Sequence, residues 1–344
     1  MKAVILEQAG NSPKLAYRDV PEPALGEYDV LLRVLAVGLC HHDFLAMTGV
    51  LRRGIPQNAI LGHEICGEVV QIGSKVTEVG TGQKVVPLLT NACGQCGRCI
   101  NGLEHRCFNG HGIGHGVPGG FSQYVAVRET AVVSVPEDMP AESACMLACP
   151  IGVALQGAQD VAHLVPDELA VVTGASGGLG VHSLQIAKAL GARTIAVTSS
   201  EGKFGALIEQ GADDVAPVGE LDFSEIVLAM TGEQGANVVL DTVGSPLFES
   251  SFRCLSQYGR MVLMGEVAAG KVEINLAEVL FRDANIKGST GVQRRHLRQA
   301  AQLAVEGHVN PVIHTTLALR DILMGINWME ERKLFGRVVL LPNG

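Results

Sequence analysis

The sequence predicts an α/β protein of two domains, a β-rich domain followed by a domain built on a parallel sheet. Its length of 344 residues is too great for one core, because domains commonly span about 100 to 200 residues. Short β-branched runs fill the first part of the chain, and strand-like runs alternate with helical patterns in the second. Apolar residues make up 47% of the chain and charged residues 18%, which is typical of a folded globular protein.

The β-rich domain is predicted from short apolar runs that are broken by Gly, Pro and Asp. These runs cover 29–34, 67–72, 83–87 and 122–127. A similar run at 336–341 closes the chain, so we expect the chain to return to its first domain there.

The second domain is predicted as parallel βαβ units, since strand and helix patterns alternate. The predicted strands are 169–173, 194–198, 238–240 and 260–264, and the predicted helices are 178–190 and 203–210. Apolar side chains recur every third residue in the first of these helices, which predicts one face packed on the sheet. They are Val181, Leu184, Ala187 and Leu190.

The charge pattern argues against a nucleic-acid partner. The formal net charge is -9, and nucleic acid requires clustered Lys and Arg side chains. We interpret the short pairs Arg52-Arg53 and Arg294-Arg295 as solvated surface, although a basic rim also suits an anionic substrate. The first apolar stretch is too short for a signal peptide, and no apolar run reaches the roughly 18 residues of a membrane span. We therefore expect a cytoplasmic protein with a small-molecule substrate and no membrane partner.

A glycine-rich segment predicts a dinucleotide site. It follows a strand and opens a helix, where backbone N–H groups and the helix dipole favour the pyrophosphate anion, and side chains at the glycine positions would block that approach. A tight turn without a ligand is the alternative, but the order of strand, glycines, helix and strand favours the dinucleotide. The segment comprises Gly174, Gly177, Gly178, Leu179 and Gly180.

The end of the next strand favours NADP(H) over NAD(H). NAD sites place an acidic residue there for the ribose 2'-hydroxyl, whereas NADP sites use small hydroxyls and a cation. Thr198, Ser199, Ser200 and Lys203 fit the phosphate version. Glu201 leaves NAD(H) open, because a shift of two or three residues would bring it to the ribose.

Four cysteines in one short loop predict a closed structural zinc site. Four thiolates suit tetrahedral Zn²⁺, and the glycines between them allow the tight turns that aim the sulfurs inward. Disulfides, a redox Cys-x-x-Cys pair and an iron–sulfur cluster are the alternatives. Cysteines this close in a reducing compartment favour a metal. They are Cys93, Cys96, Cys99 and Cys107, with Gly94 and Gly97 between them.

Further metal-binding residue types are spread along the chain. Cys40 precedes His41-His42-Asp43, His63 precedes Glu64, and Cys149 precedes a proline. Taken singly, each such cysteine or histidine is more often a packed core residue than a ligand.

Taken together and in this order, these residues resemble the zinc-dependent medium-chain alcohol dehydrogenase superfamily over essentially the whole chain. The resemblance implies a β-rich, chaperonin-like (GroES-like) catalytic domain formed by 1–152 and 289–344. It also implies an inserted Rossmann domain with a doubly wound parallel sheet at 153–288. Members of the family are dimers or tetramers, so a homodimer or homotetramer is expected.

The resemblance also implies roles for individual residues. Cys40, His63 and Cys149 look like the ligands of a catalytic zinc, which gives two zinc ions per subunit together with the structural one. Glu64 looks like the adjacent carboxylate that can exchange onto the metal, and Asp43 like the partner that orients His63. A zinc ion held in this way has an open position for a substrate oxygen.

Cofactor contacts follow from the same resemblance. His41 and Arg337 occupy places that contact the pyrophosphate. The ends of two strands look like the lining of the nicotinamide ribose, and they carry Thr242, Val243 and Gly265.

Three positions depart from the pattern of alcohol dehydrogenases. His42 stands where many relatives carry the Ser or Thr that passes the alcohol proton outward, Thr48 replaces a distal histidine, and Val153 replaces a threonine. We hypothesise that His42 handles the proton itself, since imidazole can act as acid or base near neutral pH. A packing role for His42 stays open.

These observations leave three functional hypotheses. The leading one is a zinc alcohol dehydrogenase that interconverts an alcohol with an aldehyde or ketone. The alternative is an NADPH-dependent enoyl reductase of the acryloyl-CoA type, which 174–203 and 241–246 resemble. A non-catalytic protein that kept the fold is the third. We assign no role to His105, His111 and His115, and we interpret Cys66, Cys145 and Cys254 as buried small hydrophobes.

Overall fold

The structure, a computed structural model, describes residues 1–51 and 54–344. The pair Arg52-Arg53, interpreted above as solvated surface, lies outside the described residues. The chain forms two compact units. The first contains 1–152, 291–305 and 313–344, and the second contains 153–290 and 306–312.

The elements are numbered here in chain order. The strands are β1 (Lys2–Gln8), β2 (Lys14–Asp19), β3 (Asp29–Leu39), β4 (Glu64–Ile72), β5 (Lys84–Pro87), β6 (Thr90–Asn91), β7 (His111–Gly112), β8 (Tyr124–Arg128), β9 (Val132–Ser134), β10 (Leu169–Val172), β11 (Arg193–Thr198), β12 (Asp214–Pro217), β13 (Ala236–Asp241), β14 (Leu255–Leu263), β15 (Asn285–Gly288), β16 (Ile313–Ala318) and β17 (Arg337–Leu341). The α-helices are α1 (His41–Met47), α2 (Gly97–Ile100), α3 (Ala141–Ala144), α4 (Val153–Leu155), α5 (Gly178–Ala189), α6 (Phe204–Glu209), α7 (Phe223–Met230), α8 (Phe248–Arg253), α9 (Leu276–Phe281), α10 (Arg294–Val305) and α11 (Ile322–Glu330). Leu147–Gly152 and Gln156–Val161 are π-helical, and short 3₁₀ turns lie at Glu104–Arg106, Glu129–Ala131, Glu201–Lys203 and Leu319–Asp321.

The first unit is built on a mixed sheet with the strand order β16-β17-β3-β4-β5-β9. The long strand β3 is central, because it pairs antiparallel with β4, β8 and β17. Its inward side chains join a core of aliphatic residues around the fully buried Phe121. The last strand of the chain, β17, thus lies beside β3, with Val338 opposite Leu39.

The second unit is a six-stranded parallel sheet with the order β12-β11-β10-β13-β14-β15. The order reverses between β10 and β13, which is the switch point where such sheets bind ligands. The predicted fold class, a β-rich domain plus a Rossmann-type parallel sheet, is confirmed. Strand β14 begins at Leu255, earlier than the predicted residue 260. Tyr258 has a positive φ of 61°, so the strand is irregular there and its first residues do not show the regular strand pattern on which the prediction relied.

One segment differs from the predicted domain organisation. From the sequence, all of 289–344 was expected in the first domain, but Glu306–Val312 belongs to the second unit. Helix α5 anchors it there, because the backbone N–H of Asn310 donates to Gln185 at 2.8 Å and that of Val312 to Nε2 of His182 at 3.0 Å. Pairings of this kind leave no local pattern in the sequence.

A further difference concerns helix length. Among the described residues, the helical stretch Ala141–Val161 is long and apolar enough to cross a membrane by length and composition. The sequence shows no uninterrupted apolar run here, because polar residues such as Ser143 and Gln156 lie within the stretch. Because 78% of its most apolar window is buried inside the protein, we interpret it as a core helix. It carries Cys149.

Candidate functional site

The four cysteines of the loop converge on one point. The Sγ atoms of Cys96 and Cys99 are 3.6 Å apart, those of Cys96 and Cys107 3.8 Å, and those of Cys93 and Cys107 3.4 Å. A tetrahedral zinc with bonds of about 2.3 Å has sulfur–sulfur edges of about 3.8 Å. The cluster therefore fits one Zn²⁺ ion, and all four thiols are free of disulfide bonds.

Backbone donors favour the thiolate form of Cys96, whereas burial raises the pKa of Cys99 to about 12. The N–H groups of Cys99 and Phe108 lower the pKa of Cys96 to about 6. Gly94 makes the tight turn with a φ of +74°, and a Cβ there would lie 2.5 Å from the side chain of Thr130. The four cysteines are one of the groups whose ligand atoms all lie within 4.8 Å of one another.

A second group of side chains also has all its ligand atoms within 4.8 Å of one another. It consists of residues that are far apart in the sequence, namely Cys40, His63, Glu64 and Cys149. Pairing of β3 with β4 sets Gly38 opposite Glu64, so Cys40, two residues beyond Gly38, comes close to His63 and Glu64. A Cβ at Gly38 would overlap the carboxylate of Glu64, which explains the glycine.

Cys149 reaches this group from a π-helical turn. Pro150 lacks an N–H, so the carbonyl of Met146 receives its hydrogen bond from the N–H of Ile151 at 3.2 Å instead. Single π-helical turns often occur at functional sites. The sequence showed the proline but not the changed hydrogen-bond register.

Asp43 fixes the orientation of the histidine. It is 1% exposed, and its Oδ1 lies 3.3 Å from Nδ1 of His63, which leaves Nε2 for a metal. The same carboxylate accepts hydrogen bonds from the N–H of Cys40 at 3.0 Å and of Gly62 at 3.2 Å. Asp43 therefore ties together the segments that carry two of the metal-binding residues.

The donor set includes one favoured thiolate. A hydrogen bond from Cys149 lowers the pKa of Cys40 well below its ordinary range, and the same hydrogen bond together with burial raises the pKa of Cys149. Burial would lower the pKa of His63, but Asp43 and Cys40 raise it well above its ordinary value. A metal ion binds thiolates and a neutral imidazole, so it would displace the protons that Cys149 and His63 otherwise keep. Two sulfurs, an imidazole and a carboxylate are ligand types that zinc prefers.

Arg337 forms a buried ion pair with Glu64. Its Nη2 lies 2.8 Å from Oε1 of Glu64, and both side chains are buried. Burial raises the pKa of Glu64 to about 7, against the opposing charge of Arg337. The family resemblance implied a pyrophosphate contact for Arg337, and this ion pair was not predicted, because nothing local links residues so far apart along the chain.

His42 lies on the outer side of the donor set. It is exposed, and its ring meets that of His63 edge-on at 5.2 Å between centroids. Thr48 ends the same helix, and its hydroxyl donates to the carbonyls of Phe44 at 3.0 Å and Leu45 at 3.3 Å. His41 is half-buried and packs against Phe44.

The glycine loop of the second unit has the geometry of a phosphate cradle. Gly174 has a φ of +59°, and a Cβ there would lie 2.8 Å from both Thr242 and Val243. A Cβ at Gly180 would overlap the carbonyl oxygen of Gly174, so helix α5 can start close to the strand. Gly177 and Gly178 lie at the start of α5 beside Leu179.

A hydrogen-bond network that the sequence analysis missed holds this loop. Asp241, fully buried at the end of β13, accepts from the hydroxyl of Thr173 at 2.7 Å and from the N–H groups of Val243 and Gly244 at 2.9 Å each. The hydroxyl of Thr242 donates to the carbonyl of Thr173 at 2.7 Å. The ends of β10 and β13 are thereby locked together beside the cradle.

The end of β11 carries small hydroxyls. Thr198 is buried and its hydroxyl lies 3.1 Å from that of Ser176, while Ser199 is exposed. Ser200 precedes a 3₁₀ turn, Glu201–Lys203, and α6 begins after it at Phe204, one residue beyond the predicted start of that helix. The carboxylate residue Glu201 is exposed, and Lys203 is half-buried with a pKa lowered by burial.

Comparison with known proteins agrees with both units. The family described as alcohol dehydrogenase GroES-like domain matches residues 26–137, and the family described as zinc-binding dehydrogenase matches residues 178–306. An acryloyl-coenzyme A reductase of Metallosphaera sedula is 35% identical over 99% of each chain. An alcohol dehydrogenase of Geobacillus stearothermophilus is 31% identical over 99% of each chain. The crystal structure of an alcohol dehydrogenase from Aeropyrum pernix superimposes with a TM-score of 0.93 at 26% identity, covering 99% of this chain and 100% of that one.

The chain belongs to the zinc-binding medium-chain alcohol dehydrogenase family. As a member of this family it is a zinc-dependent, NAD(P)-dependent oxidoreductase with a GroES-like and a Rossmann-type domain. The four-cysteine cluster is the structural zinc site of this medium-chain dehydrogenase. The group of Cys40, His63, Glu64 and Cys149 is its catalytic zinc site.

Proposed function

We propose that this dehydrogenase family member reduces a carbon–carbon double bond conjugated to a carbonyl group, in an enal, enone or enoyl thioester, with NADPH as hydride source. The observation that carries the proposal is the altered proton path of α1. The hydroxyl of Thr48 is engaged by helix carbonyls, and His42 replaces the first hydroxyl of the alcohol relay. An alcohol proton therefore has no Ser-to-His route along the described residues of this helix.

Similarity to acryloyl-coenzyme A reductases supports the same conclusion. Two such proteins are 35% and 34% identical to this chain over 99% of its length. The alcohol dehydrogenases compared are 31% and 30% identical. The enoyl reductase hypothesis thus replaces alcohol dehydrogenation as our first choice.

The residues of the site suit this reaction. A Zn²⁺ ion held by Cys40, His63 and Cys149 would polarise the carbonyl oxygen, and the nicotinamide would supply hydride to the β-carbon. Asp43 holds the imidazole of His63 so that Nε2 faces the metal position. In this direction the α-carbon takes up a proton, and we assign its delivery to a ring nitrogen of His42 because that exposed ring lies edge-on to His63 at 5.2 Å between centroids.

Product analysis tests the proposal. We expect an α,β-unsaturated aldehyde and an acryloyl thioester, each offered with NADPH, to give the saturated carbonyl compound. A saturated aldehyde of the same length serves as the control and should react slowly. Formation of the unsaturated alcohol, with no saturated carbonyl product, would exclude the enoyl reductase proposal and establish carbonyl reduction.

Alcohol dehydrogenation is the second candidate, since Glu64 and all three metal-binding residues of the alcohol dehydrogenase pattern are brought together here. Under this hypothesis His42 acts on the hydroxyl proton. The His42→Ser variant would then change the pH–rate profile of alcohol oxidation, and an unchanged profile would contradict that role.

We further propose NADP(H) as the preferred cofactor. The end of β11 supports it with Ser199, Ser200 and Lys203 near one another and no acidic residue on the strand itself. His41 and Arg337 are proposed pyrophosphate contacts, and Thr242, Val243 and Gly265 are proposed to line the nicotinamide ribose.

Assembly and compartment are proposals as well. We propose a homodimer or homotetramer, because α9 leaves Leu280 68% and Phe281 77% exposed beside the edge strand β15, and exposed patches of this kind mark interfaces. Light scattering of the Phe281→Lys variant should show smaller particles than the parent. The nine unpaired cysteines support a reducing, cytoplasmic location.

A further inference from the structure

The turn that follows β7 carries a histidine that no role above explains. In this turn the N–H of Gly116 donates to the carbonyl of Gly112 at 2.8 Å, and the N–H of Gly114 to the carbonyl of Val117 at 2.9 Å. His115 lies at its tip. The turn is therefore a compact, internally bonded platform for one imidazole ring.

Glycines press this platform against the segment that carries a zinc ligand. A Cβ at Gly114 would lie 2.9 Å from the backbone N of Gly62, and one at Gly119 2.5 Å from the carbonyl of Leu61. The N–H of Gly119 donates to the carbonyl of Ile60 at 2.8 Å. The backbone of this turn therefore lies directly against the backbone of the segment before His63. Side chains at Gly114 and Gly119 would push the turn away from that segment.

The close approach places three imidazole rings in a row. The ring of His42 meets His63 on one side, edge-on at 5.2 Å, and His115 on another, tilted by 46° at 5.2 Å between centroids. Such separations are within the range of favourable ring contacts. Gly54 faces the ring of His115, where a Cβ would lie 3.6 Å from Cδ2, so the ring of His115 has room without being crowded.

We propose that His115 is a positioning residue for His42. His42 is exposed and stands on a helix of seven residues, so its ring gains a fixed orientation from the rings that flank it. His115 holds it edge-on to His63 and thereby towards the substrate carbon that receives the proton. This inference rests on the role assigned to His42 in the proposed function.

Three variants test the proposal on the full-length zinc enzyme. His115→Ala removes the ring, His115→Phe keeps a ring of similar size, and His111→Ala alters the same strand and turn without touching His42. We expect His115→Ala to lower kcat about three- to tenfold, as loss of one ring contact would allow, while the KM for NADPH stays constant. His115→Phe and His111→Ala should keep at least half of the parent kcat.

Crystal structures of the two His115 variants give a readout that requires no turnover. We expect one orientation of the His42 ring in His115→Phe and several in His115→Ala. One unchanged orientation in both variants would overturn the proposal, and so would an equal loss of kcat in both. If the parent enzyme makes no saturated product, the proposed function fails, but the orientation of His42 still decides the role of His115.

Discussion

Replacement of Asp43 by asparagine tests how the buried carboxylate prepares the catalytic zinc site. Asparagine offers one carbonyl oxygen and one NH₂ group in place of two accepting oxygens. If the oxygen takes the Oδ1 place, the NH₂ group faces the N–H of Cys40, which now bonds to Oδ2 at 3.0 Å. A buried donor is then left unsatisfied, at a cost of about 1 to 3 kcal/mol.

The opposite orientation affects the metal directly. The NH₂ group would then face the N–H of Gly62 and Nδ1 of His63, which lie 3.2 and 3.3 Å from Oδ1 of Asp43. To accept from it, His63 must carry its proton on Nε2, the nitrogen that faces the metal position. Either orientation weakens the site, and we expect zinc affinity to fall about 10- to 100-fold.

Competition with a chromogenic chelator measures this loss, and elemental analysis counts the zinc retained per chain. The matched control is Asp222→Asn, because Asp222 caps α7 by accepting from the N–H of Ser224 at 2.9 Å and touches no metal-binding residue. Because asparagine caps a helix about as well as aspartate, the control should keep its stability to within about 1 kcal/mol and should lose no zinc affinity. Parental zinc affinity in Asp43→Asn, or an equal loss in the control, would refute the reasoning.

Three further predictions concern the second unit. In Gly180→Ala the new Cβ would lie 2.7 Å from Cα of Ala175. The unfolding free energy measured by denaturant titration should therefore fall by about 2 kcal/mol, and NADPH binding measured by fluorescence should weaken. An unchanged dissociation constant for NADPH would contradict the phosphate cradle. Arg260 donates to both oxygens of Glu168 at 2.7 Å and lowers the pKa of that carboxyl. This stabilisation is full above the ordinary glutamate pKa of about 4.3 and is lost as pH falls through the lowered pKa. The Tm difference between the parent and Glu168→Gln should therefore be largest near neutral pH and should narrow in acid. A Tm difference that stays constant with pH would count against the ion pair. Lys203→Ala should raise the KM for NADPH about tenfold and leave that for NADH unchanged, whereas equal changes for both cofactors would disprove the proposed NADP preference.

Features with a local cause could be predicted from the sequence. The phosphate cradle was recognisable because its glycines lie close together in the sequence and part of the steric demand on them is local, as for Gly180 against Gly174. The structural zinc cluster was recognisable for the same reason, since its cysteines share one loop. The parallel sheet followed from the alternation of strand and helix.

Several pairings between distant segments were missed, although the family resemblance implied the catalytic zinc set. The pairing of Glu64 with Arg337 and the contact of His115 with His42 arise only when separate strands and turns come together. Asp241 shows the same limit, because its main partner Thr173 belongs to another strand. In the sequence each of these side chains looks like an ordinary polar residue, because its partner comes close only in the folded protein.

The widened turn at Cys149 makes the metal site sensitive to the number of residues in this helix. Deleting one residue between Cys145 and Cys149 would allow a regular α-helix, which rotates by about 100° per residue. The sulfur would swing away from Cys40 and His63 while the helix kept most of its apolar surface. Pro150 opposes that regularisation, because in an unbroken α-helix its ring would collide with the carbonyl of Met146.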